Sequence, residues 1–595
     1  MKKGLFIKLL SALLVLAMLV CSFAACGETE KTDDTTTEAP ASSEQKPASS
    51  TPSTTEAPAS SDDPASSGEP AESTGEPAES TGEPAESTGE PAESTGEPAE
   101  STGEPVESTE APASSEEPES TDDEEESTLS PDEEEALYLP DDADYNRLEF
   151  KIAAGAQGAW GLPHYMPQEG LTGEGEGVNS ALEERSLLLD DMFGVVMTLD
   201  LSRGDAALAT YLTAQAKAGK YFADQVFMTG ISTMTAAQKG ELVNLLTLDA
   251  LNLKASYYDQ RIQDDYRIND MLFQMTGDFD TTDELVTFGL LYNHRIYEDY
   301  GFNETYGTPY EMVRDYKWTY STMMALAAPV TQNEDGQWDI NDTAGLLSEN
   351  QAGYYFFLGS GLKPIKTING KITVTFDDAT VYAQAQAVLS EIAAICTDAS
   401  FCISDRDFAS DASPRDASTV HKQMFIGDQA LFRSSSLSTT LNGMPGMESD
   451  FGILPIPMYQ ESQREYFCSL NDDANRPLVI PRHVQDLTAT AEITEIISYY
   501  SRYGGDESLY EAFFERLTLA KICRTEDDRA MLDLIFSSKV YDMDRMIDII
   551  GMHSKVSSYV GAKCTTDITS NIEGALSSAT KKIDAKIKVF DKNNK

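Results

Sequence analysis

Bases and histidines are scarce in this chain: 43 Lys and Arg face 101 Asp and Glu, and only five histidines occur in 595 residues. A formal charge of −58 argues against nucleic acid as a partner, since phosphate binding needs clustered cations. The histidines are dispersed and no HExxH is present, which argues against a His-based metal or catalytic centre. Cysteine is sparse too. Beyond Cys21 and Cys26 there are only Cys396, Cys402, Cys468, Cys523 and Cys564. An odd, widely spaced set is no disulfide framework, and no CxxC pair suggests zinc. Buried free thiols are expected, with a Cys396–Cys402 loop bridge as the alternative. A GxSxG elbow, a P-loop and a metal-ligand cluster are all missing. No cofactor is expected. Carboxylates are so abundant that a pair suited to glycoside hydrolysis carries no signal by itself.

What is present begins at the N-terminus. Lys2 and Lys3 precede an apolar run from Leu9 to Val20 and then Phe23-Ala24-Ala25-Cys26-Gly27. A positive start, a short apolar core and small residues before a cut mark a secretory signal peptide. The cysteine after Ala-Ala resembles a bacterial lipobox, with Phe23 where Leu or Val is usual. The resemblance implies diacylglyceryl attachment to Cys26, and two acyl chains hold a protein on a membrane where one is marginal. Residues 1–25 are thus expected to be a lipoprotein signal peptide, leaving the protein anchored on the extracellular face of the cell membrane.

Residues 26–144 are almost devoid of large apolar side chains. Gly-Glu-Pro-Ala-Glu-Ser-Thr repeats from Gly68, Gly75, Gly82, Gly89 and Gly96, and a copy from Gly103 carries Val106 for Ala. No repeat position can form a coiled-coil seam, and each copy contains a proline that removes a helix donor. Such a segment cannot bury enough surface to offset its ordering entropy and is expected to be a disordered tether. As a coil it would span on the order of 60 Å.

Residues 145–595 are globular in composition and long enough for two or more domains. Arg147–Ala154 reads as a strand running into a Gly-rich segment at Gln157 and Trp160. Asn179–Phe193 reads as a helix with Gly194 as its stop, Val195–Leu201 as a strand, Asp205–Ala218 as a helix stopped by Gly219, and Asp224–Met228 as a strand. Alternation with short connections implies right-handed crossovers and a mostly parallel α/β sheet. Ligands of such sheets bind beyond the carboxyl ends of the strands, which places Gln157, Trp160, Thr229 and Gly230 on the functional rim.

The segments ADQVFMTG (Ala223–Gly230), LLTLDALNLKASYYDQ (Leu245–Gln260), VTFGLLYNHRIYEDYGF (Val286–Phe302) and YEMVRDYKWTYSTMMALA (Tyr310–Ala327) resemble those of an extracellular solute-binding protein of an ABC importer. The type is the sugar-binding, maltose-binding-like one. MFIGDQALFRSS (Met424–Ser435), DFGILPIPMYQESQREYF (Asp450–Phe467), NRPLVIPRHV (Asn475–Val484) and EDDRAMLDLIFSSKVYD (Glu526–Asp542) follow in that family's order. The resemblance implies a periplasmic-binding-protein-like fold (type II) of two α/β lobes joined by a hinge of crossing strands. The first crossing is expected near Val286–Asn293, the return near Tyr466–Val479, and a third within Tyr510–Arg524. It further implies a monomer that captures a small solute, an oligosaccharide by default, and hands it to an ABC permease without covalent chemistry. Surface polysaccharide binding without a transporter is the alternative, and glycoside hydrolysis the more distant one.

Sugars are held by aromatic faces and by polar groups that bond hydroxyls. Trp160 is a stacking candidate at the cleft border. Tyr257 and Tyr258 occupy a stretch where the family often carries an aromatic pair, with packing of the lobe edge as the competing role. Asp278 faces the cleft or caps a turn. Trp318 is expected in the core, with Thr319 as N-cap of the following helix. Thr331–Asp342 aligns to a calcium loop with Gly336 at its sixth position, and Asn333, Asp335 and Asp339 suit ligand positions. Thr331 and Asp342 at the two ends weaken the match, so a turn is expected there and no metal.

Overall fold

The computed structural model describes residues 143–594, apart from 157–164, 166, 168–175, 335, 350, 405–406, 408–413, 442–443 and 445. The signal peptide and almost all of the tether therefore lie outside the described residues.

The alternation read from the sequence is realised. Strand β1 (Leu148–Ala156) is followed by helix α1 (Glu176–Phe193), β2 (Val195–Gly204), α2 (Asp205–Ala218), β3 (Gln225–Phe227) and α3 (Gly230–Gln238). Helix α1 starts at Glu176, ahead of the expected Asn179, and Asn179 bonds Glu183 within it. Gly219 takes φ 62° and closes α2, the left-handed conformation that glycine adopts without a Cβ penalty. β1 pairs in parallel with both β2 and β3.

The second sheet holds β4 (Phe288–Asn293), β5 (Ala344–Ser348), β6 (Cys402–Ser404), β7 (Ala430–Ser436) and β8 (Phe451–Leu454), in the order β8-β4-β7-β5-β6. All six residues of β4 are buried, as a central strand covered on both faces requires. Trp318 is in this lobe's core, its Nε1–H donating to Pro455 O at 2.9 Å, and Thr319 caps the helix Tyr320–Ala327 as expected.

Two crossings join the sheets where the sequence places them. Thr287, just before β4, bridges Leu470, just after β9 (Cys468–Ser469). The return ends in β10 (Leu478–Val479), which runs antiparallel to β3 and makes the first sheet β10-β3-β1-β2. A third passage leaves α4 (Leu487–Tyr503) through the π-helical Glu511–Leu517 and reaches α5 (Glu526–Ser537) beside β8. β11 (Lys539–Val540) then pairs with β9. The architecture is two α/β sheets linked by crossing segments. Helix α6 (Met543–Ile547) packs on α3, and α7 (Met552–Gly561) and α8 (Ile568–Asn593) complete the chain. None of the described helices is long and apolar enough to cross a membrane.

Register fixes which ends of the sheets meet. Leu478, the first residue of β10 after the crossing, lies opposite Phe227 at the carboxyl end of β3. Phe288, the first residue of β4, lies opposite Ser436 at the carboxyl end of β7. Because β5 and β6 run parallel to β7's direction, the carboxyl ends of both sheets face the crossings.

Candidate functional site between the sheets

On the first sheet the site is built around Asp205, which opens α2 directly after β2. Its Oδ1 accepts the Thr229 N–H at 2.8 Å, and its Oδ2 accepts Thr229 Oγ1 at 2.9 Å and Ser232 Oγ at 3.1 Å. The guanidinium of Arg476, just before β10, comes within 3.8 Å of Asp205 Oδ1. Gly155 explains why these elements approach so closely, since a Cβ there would lie 3.0 Å from the Asp205 side chain. Thr229 precedes α3, but its hydroxyl is spent on Asp205 and makes no cap bond, so the first N–H groups of α3 keep their donors toward the rim.

Several polar atoms here are buried without a partner among the described residues. They include both amide atoms of Gln274, Asn475 Oδ1, Tyr165 Oη and Asp280 Oδ2. Gln274 Oε1 lies beside α3's start, 3.7 Å from where a Gly230 Cβ would be; Met546 Sδ of α6 would be 2.8 Å from it. The Tyr165 ring stacks on Phe227 at 4.2 Å. Burial, with Asp280 and Asp205 adding to it and Arg476 opposing, pushes its hydroxyl far up. Asp280 Oδ1 accepts the Thr282 N–H at 3.0 Å and its Oγ1 at 2.6 Å, and burial pushes the carboxyl up to about 7. Leaving a buried polar group unmade costs about 1–3 kcal/mol. Such groups are rare in folded proteins, and each calls for an explanation. These five atoms lie on segments that meet at the carboxyl end of β3, with bonding capacity that the described residues leave open.

The crossing and second sheet continue this surface. Arg545 of α6 pairs with Asp473 at 2.5 Å. Glu349, following β5, acts on the Tyr355 hydroxyl together with Asp472, Asp473 and Arg545. Ser434, Ser435 and Ser436 end β7.

The sequence candidates fall into different places. Gln157 and Trp160 lie outside the described residues. Thr229 is half-buried at the rim, bound to Asp205. Tyr257 and Tyr258 are 0% and 1% exposed, and both hydroxyls donate to Glu495 of α4, that of Tyr258 at 2.7 Å. Their place is the packing of the lobe edge. Asp278 is ion-paired with Arg502 at 2.9 Å, and Arg502 stacks on Tyr510 at 3.8 Å. Burial raises the Asp278 carboxyl to about 6 against the pull of Arg502.

In the calcium-like segment, Asn333 Oδ1 accepts the Gly336 N–H at 2.6 Å and Asp339 Oδ1 accepts the Asn341 N–H at 2.6 Å. Asp335 lies outside the described residues. Among the described residues no group of three or more His, Cys, Asp or Glu is arranged to hold a metal ion. Cys396, Cys402 and Cys468 are buried free thiols, and Cys523 and Cys564 are free and partly exposed.

Asp205, Arg476, Gln274, Tyr165 and Asp280 were not singled out by sequence. The first had a legible signal: an acid at the first helical position after a parallel strand lies on the carboxyl rim by construction. Arg476 and Gln274 depend on how the second crossing returns to β3, which no local pattern encodes.

No family model matches the chain, and no curated protein matches it. Solved structures do resemble it. An ABC substrate-binding protein from Listeria monocytogenes in complex with cycloalternan is 13% identical, with 73% of this chain and 99% of that one covered and a TM-score of 0.46. A cyclo/maltodextrin-binding protein complexed with maltotetraose is 13% identical, with 74% and 97% covered and a TM-score of 0.46. The maltose/maltodextrin-binding domain from Bdellovibrio bacteriovorus bound to maltotriose is 12% identical, with 73% and 100% covered and a TM-score of 0.44.

Proposed function

We propose that this protein is an extracellular solute-binding lipoprotein of the sugar-binding, maltose-binding-like type, which captures a small solute between its lobes and delivers it to an ABC permease. The supporting observation is the buried set of unpartnered polar atoms at Gln274, Asn475, Tyr165 and Asp280, beside the Asp205–Thr229–Arg476 network. It lies at the carboxyl ends of the first sheet, next to the crossings. Hinge closure about such crossings turns solute binding into a shape that a permease can recognise. Hydroxyl-rich solutes suit these neutral donors and acceptors, and an oligosaccharide is the leading class. Of the sequence candidates, Thr229 and the Gly-rich Gln157 and Trp160 are the ligand contacts in this reading. Residues 1–25 are the signal peptide, Cys26 carries the lipid, and residues 26–144 act as the tether.

A thermal-shift screen of the purified protein against mono- and oligosaccharides, amino acids and peptides tests the reading. A ligand at 100 times its dissociation constant adds about 2.7 kcal/mol to stability. A shift confined to one solute class, with the solute recovered intact, supports solute capture. A shift with no soluble candidate but retention on insoluble polysaccharide favours the polymer-binding alternative. A cleaved ligand makes the protein an enzyme and refutes the proposal.

A further inference from the structure

The cations of the cleft are not equally matched. Arg476 approaches Asp205, and Arg545 pairs with Asp473. Among the described residues Arg433 has no such carboxylate. It sits on β7 opposite Leu291 of β4 and Leu347 of β5, in the middle of the second sheet. Its neighbour Phe432 turns to the other face and lies 5.4 Å from Trp318.

Arg433 is 2% exposed. One nitrogen, Nη1, donates to Ser435 Oγ at 3.2 Å, and Nε has no partner. A guanidinium carries five N–H donors and no acceptor, so one neutral hydroxyl leaves most of its demand open. Among the described residues the only acid that acts on it is Glu349, and the two form no ion pair within 4.0 Å. Burying a charge without a counter-charge costs several kcal/mol. A group kept at that cost in a sheet's interior is expected to have a partner that offsets it.

The surroundings favour an anion over a neutral group. His421 and Lys422, on the helix Pro414–Ile426 that covers this face, are both pushed down by burial and by the charge of Arg433. Lys422 is thus a second cation near Arg433, within a domain whose residues 145–595 carry a net charge of −26. Ser435 lies two residues along β7, on the same face and toward the strand's carboxyl end. That is the end that meets the crossings through the Phe288–Ser436 pair. Glu349, the acid that acts on Arg433, also acts on Tyr355 with Asp473 and Arg545 of the cleft.

We propose that the captured solute carries an anionic group, a carboxylate or a phosphate ester, and that Arg433 receives it at the serine-rich end of β7. The inference rests on the solute-binding reading and narrows its solute from neutral to acidic saccharides. Arginine pairs with carboxylate and phosphate through two parallel N–H···O bonds, whereas lysine offers only a point charge.

The test is calorimetric titration of the whole purified protein with maltotriose and cellotriose as neutral probes, and trigalacturonate and glucose 6-phosphate as acidic ones. Inorganic phosphate and acetate form a separate arm. An acidic saccharide is expected to bind at least tenfold more tightly than the neutral ones, and which acid wins identifies carboxylate or phosphate. Arg433→Lys, which keeps the charge and is checked for folding by circular dichroism, is expected to lose at least tenfold for that ligand. Arg433→Gln is expected to lose more; should it fail to fold, the lysine variant decides alone. Neutral saccharides binding as tightly as acidic ones would overturn the proposal and leave solute capture standing, as would an unchanged acidic affinity in Arg433→Lys. If no saccharide binds, solute capture of this class fails. Phosphate or acetate binding that disappears in Arg433→Lys would still support the anion site, and binding that is absent or unaffected would overturn it.

Discussion

Lys539 holds the most concentrated buried charge in the hinge. Its ammonium lies 2.9 Å from Asp259 Oδ2 and 2.8 Å from Glu284 Oε1, and it also pairs with Asp283. Tyr541 Oη donates to Asp259 at 2.8 Å and to Asp283 at 3.2 Å. Asp283 and Glu284 belong to the turn Thr282–Leu285 that enters the first crossing, while Lys539 starts β11, which pairs with the second. One cation beside the second crossing thus ties two acids at the first and Asp259, which caps the helix Gln260–Tyr266. At about 3 Å and an effective dielectric of about 20, each pair is worth roughly 5 kcal/mol before desolvation is subtracted. Removing one partner of a buried pair costs about 3–5 kcal/mol net, because the other charge stays behind. Lys539→Met keeps the side-chain volume and leaves the acids facing one another, so a loss in that range is expected at pH 7.5.

The pH dependence separates this cause from simple loss of packing. In the native protein the Lys539 ammonium is pushed well up by the three acids against its burial. Asp259 is held below its usual value by Lys539 despite its own burial. A raised cation contributes stability fully below its unfolded value, near 10.4, and loses it as pH rises through the folded value. A depressed acid contributes above about 4 and loses it on acidification. Both contributions are therefore intact between about pH 4 and 10. In Lys539→Met the folded value of Asp259 rises for lack of its cation, and that of Glu284, already held well above its usual range by burial and Asp283, rises further. Stability in the variant then falls as pH climbs from about 4 toward those raised values. Urea denaturation at pH 4.5 and 7.5 measures this, since urea leaves charge pairs unscreened where guanidinium chloride would not. The deficit against the native protein is expected to be larger at pH 7.5. A deficit equal at both pH values, or below about 1 kcal/mol at the higher one, refutes the reasoning.

Asp280 makes a related prediction of opposite sense. Burial raises its carboxyl to about 7, so its contribution is present at acid pH and lost as pH rises from about 4 to 7. Asp280→Asn is therefore expected to gain stability relative to the native protein as pH rises across that window, visible in urea midpoints; a constant difference contradicts it. Tyr258→Phe removes the hydroxyl that donates to Glu495 and should cost about 1–3 kcal/mol, the range for a buried bond partner. Solute affinity in the same calorimetric assay is expected to stay unchanged, and a loss of affinity would return this side chain to the site. Asp205→Ala removes the acceptor of Thr229 and the acid facing Arg476 and is expected to weaken solute binding tenfold or more, with a measured change under twofold counting against the cleft described. Cys26→Ser should move the protein from the detergent to the aqueous phase in cloud-point partitioning, whereas unchanged partitioning would rule out lipid at that thiol.

The helices and strands of the first lobe were legible because each is signalled locally. Val195–Leu201 reads as a strand from its β-branched start, which the structure extends to Gly204, and Asp205–Ala218 ends at a glycine that the chain holds at φ 62°. The crossings, near Val286–Asn293 and Tyr466–Val479, were legible only through the family resemblance. The site was not, because its members come from positions 155, 165, 205, 229, 274, 280 and 476, and only strand register brings them together. Tyr257 and Tyr258 show the limit. An aromatic pair reads alike whether it faces a sugar or the core, and its role is set by Glu495, more than 230 residues away, whose carboxylate takes both hydroxyls. Arg433 shows the converse. In ALFRSSS it reads as a polar position on a strand, with nothing to say that the strand is central. Only after β4 and β5 flank it does its charge become one enclosed with no ion pair among the described residues, which composition alone hides beneath a chain of −58.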